Sequence, residues 1–459
     1  MTHQFNPTIL REYDIRGIVG DTLTEADAYA LGRSYAALAR EEGARRIAVG
    51  RDGRTHSGML EAALIRGLAE GGIDVMQIGM GPSPMLYFAT YYLDVDGGIQ
   101  VTGSHNPADY NGFKLLLKGR SVFGQEIQAL GRRSASGHWT NGEGTTEEVD
   151  IREAYVNRLL EGFSGNAYRV GWDAGNGAAG PILDMLVENL PGHHHVLFSQ
   201  VDGNFPNHHP DPTVEKNLAD LKDLVAREQL DFGIAFDGDG DRIGAVDGNG
   251  RVIWGDQLLM ILAVPVLQEL PGATLIADVK ASQTFFDRVA ELGGTPLMWK
   301  TGHSLIKSKM KETGAPLAGE MSGHIFFKHR WYGFDDALYA AVRLIEAVSQ
   351  SGRSLTEIMD AMPKSVATPE MRFEVDEPRK FAIVDEVRER LASDGAKVDA
   401  TDGVRVSTPD GWWLLRASNT QDVLVARAEA KDEAGVERLV AQIDEQLAKS
   451  GVKRVEAVH

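Results

Sequence analysis

Three carboxylates are grouped in the segment 237–242, which reads Asp-Gly-Asp-Gly-Asp-Arg and follows the apolar run 232–236. Side chains at i, i+2 and i+4 can curl around one hard cation, because the intervening glycines permit a tight backbone turn. An EF-hand is excluded, since its required Gly and Glu positions are occupied by Arg242 and Gly248. The alternative is an acidic turn exposed to water. The pattern predicts a divalent-cation site formed by Asp237, Asp239 and Asp241.

A second polar loop, Thr-Gly-Ser-His-Asn-Pro at 102–107, follows the predicted strand 98–101, and Asn-Gly-Phe-Lys at 111–114 comes soon after. Open α/β sheets place their ligand-binding loops at such strand ends. The loop is not the G-x-S-x-G elbow of serine hydrolases, because Gly103 directly precedes Ser104. Spacing alone leaves two interpretations of His105 open, a catalytic base or part of a turn stabilised by its own side-chain hydrogen bonds.

Two further loops carry groups that suit sugars and anions. Gly-Glu-Met-Ser-Gly-His at 319–324 offers a carboxylate, a hydroxyl and an imidazole, a set suited to neighbouring sugar hydroxyls. Arg-Ala-Ser-Asn-Thr at 416–420 has the composition of an anion clamp, with a guanidinium fork beside hydroxyl and amide donors. For each loop an ordinary polar turn remains the alternative.

The elements that must position these loops alternate between short β-rich runs and helical patterns. The predicted elements are 47–50, 57–70, 73–79 and 98–101 in a first unit, 170–172, 178–190, 196–199 and 232–236 in a second, and 274–277, 282–292, 296–299, a helix after 303, and 316–318 in a third. In each unit the first strand ends in a polar turn before a helix, at 51–53, 173–177 and 278–282. This domain-sized repetition predicts three related α/β domains with mixed, parallel-rich sheets.

After residue 363 the pattern changes to a smaller α+β C-terminal domain. Its predicted strands are 372–375, 404–407, 412–415 and 423–428, and its predicted helices are 378–392 and 433–447. The strands on either side of the clamp loop could pair as a hairpin. The polar stretch 134–144 is interpreted as a surface connection between the first two domains. The predicted domain boundaries are 1–150, 151–253, 254–366 and 367–459.

The composition excludes several classes of function. The chain has 459 residues and a formal net charge of −19, which argues against nucleic-acid binding because phosphate backbones require a basic footprint. Cysteine is absent, so disulfides, thiolate zinc sites and a cysteine nucleophile are excluded. No signal-peptide pattern is visible, and the longest apolar run, 258–267, is too short to span a bilayer and is broken by Pro265. We expect a cytoplasmic monomer, with a dimer as the alternative, in which any phosphate site is a local cationic cluster.

Taken together and in this order, the loops resemble those of the α-D-phosphohexomutase superfamily, in its bacterial phosphomannomutase/phosphoglucomutase branch. The resemblance runs from Tyr-Asp-Ile-Arg-Gly at 13–17, through the loops at 102–107, 237–242 and 319–324, to the clamp at 416–420. It implies a Mg²⁺-dependent enzyme whose four domains surround a central cleft. The implied reaction interconverts hexose 1-phosphate and 6-phosphate, of mannose and/or glucose, through a phosphoserine and a hexose 1,6-bisphosphate that reorients. A phosphosugar is the implied partner, without nucleic acid or membrane.

The resemblance also implies a role for each matched residue. Ser104 would carry the phosphoryl group and, with Asp237, Asp239 and Asp241, would hold Mg²⁺. The residues implied at the reaction centre are Tyr13, Arg16, Lys114 and Arg242. Those implied to contact the substrate are Lys280, His303, Glu320, Ser322 and His324. Those implied to hold the distal phosphate are Arg416, Ser418, Asn419 and Thr420. Lys114 is favoured for proton transfer, with His324 or His303 as alternatives. One departure is Asp422, where members often have Pro.

Three other functions are the alternatives. A Mg²⁺-dependent phosphatase would release free phosphate but would leave the Arg416 clamp without a purpose, whereas a phosphosugar sensor would need neither Ser104 nor the three aspartates. A phosphoglucosamine mutase would read the second sugar position differently, and the loop at 320–322 resembles the mannose/glucose branch more.

The histidines at 193–195 and 208–209 are expected in polar loops without a carboxylate partner, and not as metal ligands.

Overall fold

The computed structural model describes residues 2–419 and 421–454, with the backbone alone at residue 377. Over these residues the chain folds as three α/β domains with mixed sheets followed by a smaller α+β domain, which confirms the predicted fold class. No helix in the described ranges is long and apolar enough to cross a bilayer.

The first domain carries the loop 102–107 directly after its fourth strand. Its elements are β1 (Ile15–Ile18), α1 (Glu25–Glu41), β2 (Arg46–Arg51), α2 (Ser57–Glu70), β3 (Asp74–Met80), α3 (Ser83–Tyr92), β4 (Gly97–Val101), β5 (Tyr110–Leu117), β6 (Arg120–Ser121), α4 (Gln125–Ser136) and β7 (Thr146–Glu148). The sheet order is β1-β5-β4-β2-β3-β7, with β6 beside β5. The interpretation of 134–144 as a connection is wrong in part, because residues 134–136 end α4 and β7 still extends this sheet.

The second domain presents the acidic loop. Its elements are α5 (Arg152–Leu159), β8 (Tyr168–Asp173), α6 (Gly180–Glu188), β9 (Gly192–Leu197), a 3-10 turn (Glu215–Leu218), α7 (Ala219–Arg227), β10 (Phe232–Phe236), β11 (Ile243–Asp247) and β12 (Val252–Ile253). The sheet order is β12-β11-β10-β8-β9, and β10 runs parallel to β8 but antiparallel to β11. The returning strand β11 was not predicted from the sequence.

The third domain repeats this plan around the loop 319–324. Its elements are α8 (Gly255–Glu269), β13 (Thr274–Asp278), α9 (Gln283–Glu291), β14 (Thr295–Trp299), α10 (His303–Thr313), β15 (Leu317–Gly319), β16 (Ile325–Phe327), β17 (Phe334–Asp335), α11 (Ala337–Ser351) and α12 (Leu355–Asp360). The sheet order is β14-β13-β15-β16-β17. Pro265 does not break the apolar run, because it lies buried inside α8 and the helix continues past it.

The C-terminal domain is an antiparallel sheet covered by helices. Its elements are β18 (Val366–Ala367), β19 (Met371–Glu374), α13 (Glu377–Ser393), β20 (Lys397–Asp399), β21 (Val404–Ser407), β22 (Gly411–Ala417), β23 (Val423–Ala430) and α14 (Glu433–Lys449). The sheet order is β18-β23-β22-β21-β20, with β19 beside β23. The predicted hairpin forms between β22 and β23 and holds the clamp loop at its turn.

Burial divides the molecule into unequal parts. One apolar core runs continuously through the junction of the first three domains and includes Phe88, Trp172 and Phe334. The C-terminal domain packs a core of its own around Trp413. It meets the third domain through a small apolar cluster, in which Val279 contacts Trp412 and Leu414, and through buried hydrogen bonds from Arg405 and Arg427 to backbone carbonyls. Trp412 and Trp413 therefore pack as structural residues. The first three domains hold one another in place, and the fourth is attached separately.

Candidate active site

The acidic loop begins where β10 ends, at the carboxyl edge of two parallel strands. Asp237, Asp239 and Asp241 are fully buried, and one oxygen from each lies within 4.8 Å of the others. The amides of Asp241 and Arg242 both donate to Asp237 Oδ1 at 3.1 Å. Gly240 adopts a φ of 72°, which glycine accepts without strain. The turn therefore converges the three carboxylates on one point.

The three carboxylates fit a divalent cation. Asp239 Oδ1 is buried and has no hydrogen-bond partner within the part of the chain that the structure describes. Burial, followed by the charges of Asp239 and Asp241, raises the pKa of Asp237 well above its usual value. A bound cation would relieve this electrostatic cost. Carboxylate oxygens are the ligands that Mg²⁺ takes from proteins, so the donor set agrees with the predicted metal.

Lys114 brings a positive charge to the same carboxylates. It lies on β5, is 5% exposed, and its Nζ donates to Asp239 Oδ2 at 2.7 Å and also to Asp241. Burial acts to lower the pKa of Lys114, but the two carboxylates raise it well above its usual value. The ammonium is thus a buried counter-ion, and proton transfer by Lys114 would first require this pairing to loosen.

Ser104 lies against the acidic loop from the neighbouring domain. Its Oγ donates to Asp237 Oδ2 at 2.8 Å, and the residue is only 2% exposed. Its φ of 48° places it in the left-handed region, at a cost of about 1–3 kcal/mol for a residue with a side chain. A Cβ at Gly238 would lie 2.4 Å from the carbonyl oxygen of Ser104, so this close approach requires glycine. Two loops identified separately in the sequence form one site.

Sequence reasoning missed residues that support both loops. The hydroxyls of Ser83 and Thr102 donate to Asp239 Oδ2, the latter at 3.1 Å, and so orient this carboxylate. The guanidinium of Arg54 is buried beneath the Ser104 loop and donates to its carbonyl groups. The sequence marks the turn before Arg54 as polar, but it contains no signal that joins this turn to a loop fifty residues further on.

His324 ends the loop 319–324 and contacts the other polar side chains of that loop. Its Nδ1 lies 3.0 Å from Glu320 Oε2 and 3.1 Å from Ser322 Oγ, and its Nε2 lies 3.2 Å from Asp241 Oδ1. Burial acts to lower the pKa of His324, but the charge of Asp241 and hydrogen bonds that the ring donates to both carboxylates raise it to about 9. These contacts favour the protonated form of the ring. Glu320 Oε1 also accepts a 2.6 Å hydrogen bond from the amide of Gly302.

The pKa of His303 is shifted in the opposite direction from that of its neighbour His324. The two rings stack with their centroids 5.8 Å apart. Burial, followed by the charge of Lys307, holds the pKa of His303 well below its usual value, and its Nδ1 lies 4.0 Å from Asp335 Oδ2. Adjacent groups whose environments push their pKa values apart can act as proton donor and proton acceptor.

Arg16 and Arg242 border the reaction centre. Arg16 donates to Asn106 Oδ1 of the Ser104 loop and to Asp14. The Nε of Arg242 lies 3.4 Å from His324 Nε2, and the backbones of these two residues form an antiparallel bridge between the second and third domains. Cationic side chains from different domains therefore meet at one place, despite the acidity of the chain as a whole.

The clamp loop reaches across the cleft to two other domains. Asp402 Oδ2 accepts hydrogen bonds from Arg416 Nε at 2.9 Å and from the amide of Thr301 at 3.1 Å. Asn419 Nδ2 donates to the hydroxyl of Tyr13 at 2.6 Å, and that hydroxyl donates to the carbonyl of Thr301 at 2.8 Å. A ring of hydrogen bonds thus joins the first, third and fourth domains around the clamp.

Two more of the predicted residues lie on the clamp side. Ser418 is buried next to Asn419, and Lys280 Nζ lies 3.3 Å from Glu370 Oε2. Thr420, which the resemblance places in the clamp, lies outside the described residues. Lys280 lies in the turn after β13 of the third domain, and Arg416 lies on β22 of the fourth.

Two expectations for the histidine clusters are wrong. Residues 193–195 lie on the edge strand β9, and not in a loop, and His194 Nδ1 accepts a 3.1 Å hydrogen bond from Trp172 Nε1. Polar residues on an edge strand do not show the alternation that identifies a strand. His208 does have a carboxylate partner, because its Nε2 lies 2.9 Å from Asp173 Oδ2.

Comparison with known protein families gives a match along the whole chain. Residues 7–138 match phosphoglucomutase/phosphomannomutase, alpha/beta/alpha domain I, residues 153–250 match domain II, residues 254–366 match domain III, and residues 370–446 match the C-terminal domain of the same family.

Relatives and solved structures agree with this match. The chain is 46% identical over 441 residues to a phosphomannomutase/phosphoglucomutase of Pseudomonas aeruginosa, covering 96% of this chain and 95% of that one. It is 44% identical to a phosphoglucomutase of Neisseria gonorrhoeae over 436 residues, covering 94% and 95%. A crystal structure of a phosphoglucomutase/phosphomannomutase family protein from Burkholderia thailandensis superposes with a TM-score of 0.92 at 42% identity, covering 98% of each chain.

Proposed function

The chain belongs to the phosphoglucomutase/phosphomannomutase family and is a mutase of the isomerase class, and from this premise we propose that it interconverts the 1-phosphate and 6-phosphate of mannose and/or glucose. The reaction would proceed through a phosphorylated Ser104 and a hexose 1,6-bisphosphate, with Mg²⁺ as cofactor. Matches to proteins named for each activity, in Pseudomonas aeruginosa and Neisseria gonorrhoeae, support both sugars as substrates.

In the proposed reaction, phosphorylated Ser104 transfers its phosphoryl group to the free hydroxyl of a hexose monophosphate, and the serine oxygen leaves. The bisphosphorylated sugar then turns end for end, and Ser104 takes back the other phosphoryl group. Each transfer breaks one P–O bond and forms another, so no oxidant or water is consumed. Most of the catalysis must come from positioning and charge neutralisation.

The observation that carries this proposal is the position of Ser104 Oγ, 2.8 Å from a carboxylate of a triplet that fits a divalent cation. Mg²⁺ at Asp237, Asp239 and Asp241 would act as a Lewis acid on the phosphoryl oxygens. A hydroxyl held at a cation site and hidden from solvent suits phosphoryl transfer better than hydrolysis, because water is excluded.

We assign the remaining roles from charge and position. Arg16 and Arg242 lie where they can neutralise phosphoryl oxygens, and Lys114 balances the aspartates. Lys114 remains the favoured group for proton transfer, and His324, whose pKa is raised, and His303, whose pKa is lowered, are the alternatives.

Substrate binding would use the other two loops. Glu320 and Ser322 offer acceptors and a hydroxyl to the sugar ring, which must bind in two orientations. Arg416 would hold the phosphate that is not reacting, together with Ser418, Asn419, Thr420, Lys280 and Tyr13. Because this clamp sits on the separately attached fourth domain, we propose that the domain closes on substrate and opens for release.

Ser104→Ala tests the proposal most directly. The variant should lose nearly all mutase activity and should not incorporate phosphate from a hexose 1,6-bisphosphate, as measured by intact mass. Ser134→Ala is a matched control, since Ser134 is also fully buried in the first domain and its Oγ donates to the carbonyl of His3 at 2.8 Å, away from the acidic loop. Substantial turnover by Ser104→Ala would exclude the phosphoserine.

Substrate choice and the hydrolytic alternative can be resolved in one assay. Mannose 1-phosphate and glucose 1-phosphate should each be converted to the 6-phosphate in the presence of Mg²⁺ and catalytic 1,6-bisphosphate, and the ratio of kcat/KM gives the preference. Release of free phosphate at a rate comparable to isomerisation would instead indicate a phosphatase.

A further inference from the structure

The polar turn after β2 contains a buried arginine that the proposed function leaves without a role. Arg54 is 3% exposed and lies at the boundary of the first and second domains, beneath the loop that carries Ser104. Its guanidinium does not contact the three aspartates of the cation site by any described hydrogen bond. A charged group buried this deeply requires a full set of acceptors.

These acceptors are backbone carbonyls of a single loop. The Nη2 atom of Arg54 donates to the carbonyl oxygens of Ser104 at 2.8 Å and Asn106 at 2.6 Å. The Nη1 atom donates to the carbonyl oxygens of Tyr110, at 3.0 Å, and Pro107. One planar fork therefore gathers four carbonyls along residues 104–110.

The fork is itself held on several sides. Asp52 Oδ2 lies 3.3 Å from Arg54 Nε and also accepts the amide of Gly103 at 3.0 Å. The ring of Phe205, from the second domain, covers the guanidinium, with 5.2 Å between Cζ and the ring centroid. A Cβ at Gly103 would lie 2.3 Å from Arg54 Nε, so glycine is needed where the loop crosses the guanidinium.

This arrangement acts on the strained residue of the site. Ser104 has a left-handed backbone, and its carbonyl points to Arg54 while its Oγ points to Asp237. A non-glycine residue keeps such a conformation only where its surroundings determine it strongly. Since the carbonyl carbon and Cβ of Ser104 are both bonded to its Cα, holding the carbonyl restrains the Cα–Cβ bond from which the hydroxyl projects, and the hydrogen bond to Asp237 then selects the position of Oγ.

We propose that Arg54 is a positioning residue for phosphoryl transfer, whose guanidinium fork holds Ser104 in the conformation that directs its Oγ to the cation site. This inference rests on the proposed function, because it takes Ser104 as the residue that carries phosphate. Arg54 acts through the loop and does not touch the substrate. Its geometry matters as well as its charge, since four separate carbonyls must be reached at once.

Arg54→Lys tests the fork while keeping the charge. A lysine ammonium has three donors on one atom and cannot span four carbonyls. We expect kcat to fall roughly 100-fold, because small misplacements of a reacting group cost this much, with KM nearly unchanged. Phosphate incorporation from hexose 1,6-bisphosphate should slow in parallel with kcat. A kcat within about threefold of the unmodified enzyme would overturn the proposal.

Arg33→Lys separates positioning from mere loss of a buried arginine. Arg33 lies in the same domain, is also mostly buried, and donates to the carbonyl of Thr140 at 2.9 Å and to Asn141 Oδ1 at 2.7 Å, away from the site. Both lysine variants should lose thermal stability, but only Arg54→Lys should lose kcat. An equal fall in kcat for Arg54→Lys and Arg33→Lys would show that Arg54 supports the fold alone, and it would contradict the positioning role.

A second variant keeps the test decisive if Arg54→Lys does not fold. Gly103→Ala keeps the arginine at position 54, but the added Cβ would push its guanidinium away from the loop. This variant should lower both kcat and phosphate incorporation, as Arg54→Lys does. Full activity of this variant would contradict the proposal. Failure of the inference differs from failure of the proposed function: retained activity in Ser104→Ala defeats both, whereas activity that depends on Ser104 but is indifferent to Arg54 defeats the inference alone.

Discussion

The two ends of the cleft are built in different ways. Where the first and second domains meet, Ser104, Lys114 and the three aspartates are buried and linked by direct hydrogen bonds across the boundary. Where the fourth domain meets the first and third, Asn419 and Asp402 make single hydrogen bonds to Tyr13 and to the amide of Thr301. The first end adjoins the continuous core of the first three domains, whereas the fourth domain has a core of its own and meets the third through a small apolar cluster and hydrogen bonds from Arg405 and Arg427.

This difference matches what each end must do. In the proposed reaction this end carries a phosphoryl group between Ser104 and the sugar in each half-reaction, so its charges can be fixed in advance and kept away from water. The clamp end must release one phosphate and accept the other, so contacts that break and re-form easily are an advantage there. We therefore expect changes at the reaction end to lower kcat and changes at the clamp to raise KM.

The largest effect is expected at the aspartates. Asp239→Asn removes a charge that balances Lys114 and that contributes to the cation site, and it should lower kcat roughly 10³-fold, equivalent to about 4 kcal/mol of lost charge stabilisation. The measurement is kcat as a function of Mg²⁺ concentration. Asp247→Asn is the control, since Asp247 is equally buried in the same domain but binds only its own turn and Arg251. Similar kcat values for the two variants would show that kcat does not depend on the charge of Asp239 more than on that of another buried aspartate in the domain.

A smaller effect of a different kind is expected at the clamp. Arg416→Lys keeps the charge but loses the fork that can hold a phosphate with two hydrogen bonds, and KM should rise roughly 10- to 100-fold while kcat stays similar. Initial rates over a range of substrate concentrations measure this. Arg438→Lys serves as control in the same domain, because Arg438 pairs with Asp410 at the surface. A fall in kcat without a rise in KM would show that the two ends do not differ as described.

The smallest effect is expected where the domains touch. Tyr13→Phe removes the hydroxyl shared by Asn419 and Thr301 and should lower kcat/KM roughly fivefold, which corresponds to about 1 kcal/mol for an uncharged hydrogen bond. Tyr29→Phe, whose hydroxyl contacts Arg33 on the same domain, should leave kcat/KM unchanged. A loss as large as that of Asp239→Asn would mean that the clamp is coupled to the chemistry as tightly as the metal loop.

The fold was predictable where the chain repeats a pattern, and less so where it departs from one. The parallel strands before the loops at 102–107 and 237–242 follow apolar runs that the sequence displays plainly. The returning strands β11 and β16 were missed because each is short and follows a polar loop. The edge strand β9 was placed too late because its histidines mask the alternation. Pro265 was misjudged because neighbouring helices can bury a proline inside a helix.

The chemistry was predictable from contiguous motifs, but the supports were not. Ser104 and the three aspartates stand out because each motif fits in six residues. Arg54 and Ser83 contribute through contacts with residues far along the chain, and no spacing rule links them to the loops they hold. Lys114 was singled out for proton transfer, yet its pairing with two carboxylates depends on how two domains pack, which sequence does not reveal.

The backbone of Ser104 also limits which amino acid could replace it as a phosphate carrier. Threonine has the same alcohol chemistry, and a substitution matrix scores the exchange as conservative. At a φ of 48°, however, its branched Cβ would crowd the adjoining peptide, because β-branched residues are rare in this region. The main chain, more than the reactivity of the hydroxyl, therefore decides between the two alcohols, and a mutational scan of this position should tolerate threonine no better than residues without a hydroxyl.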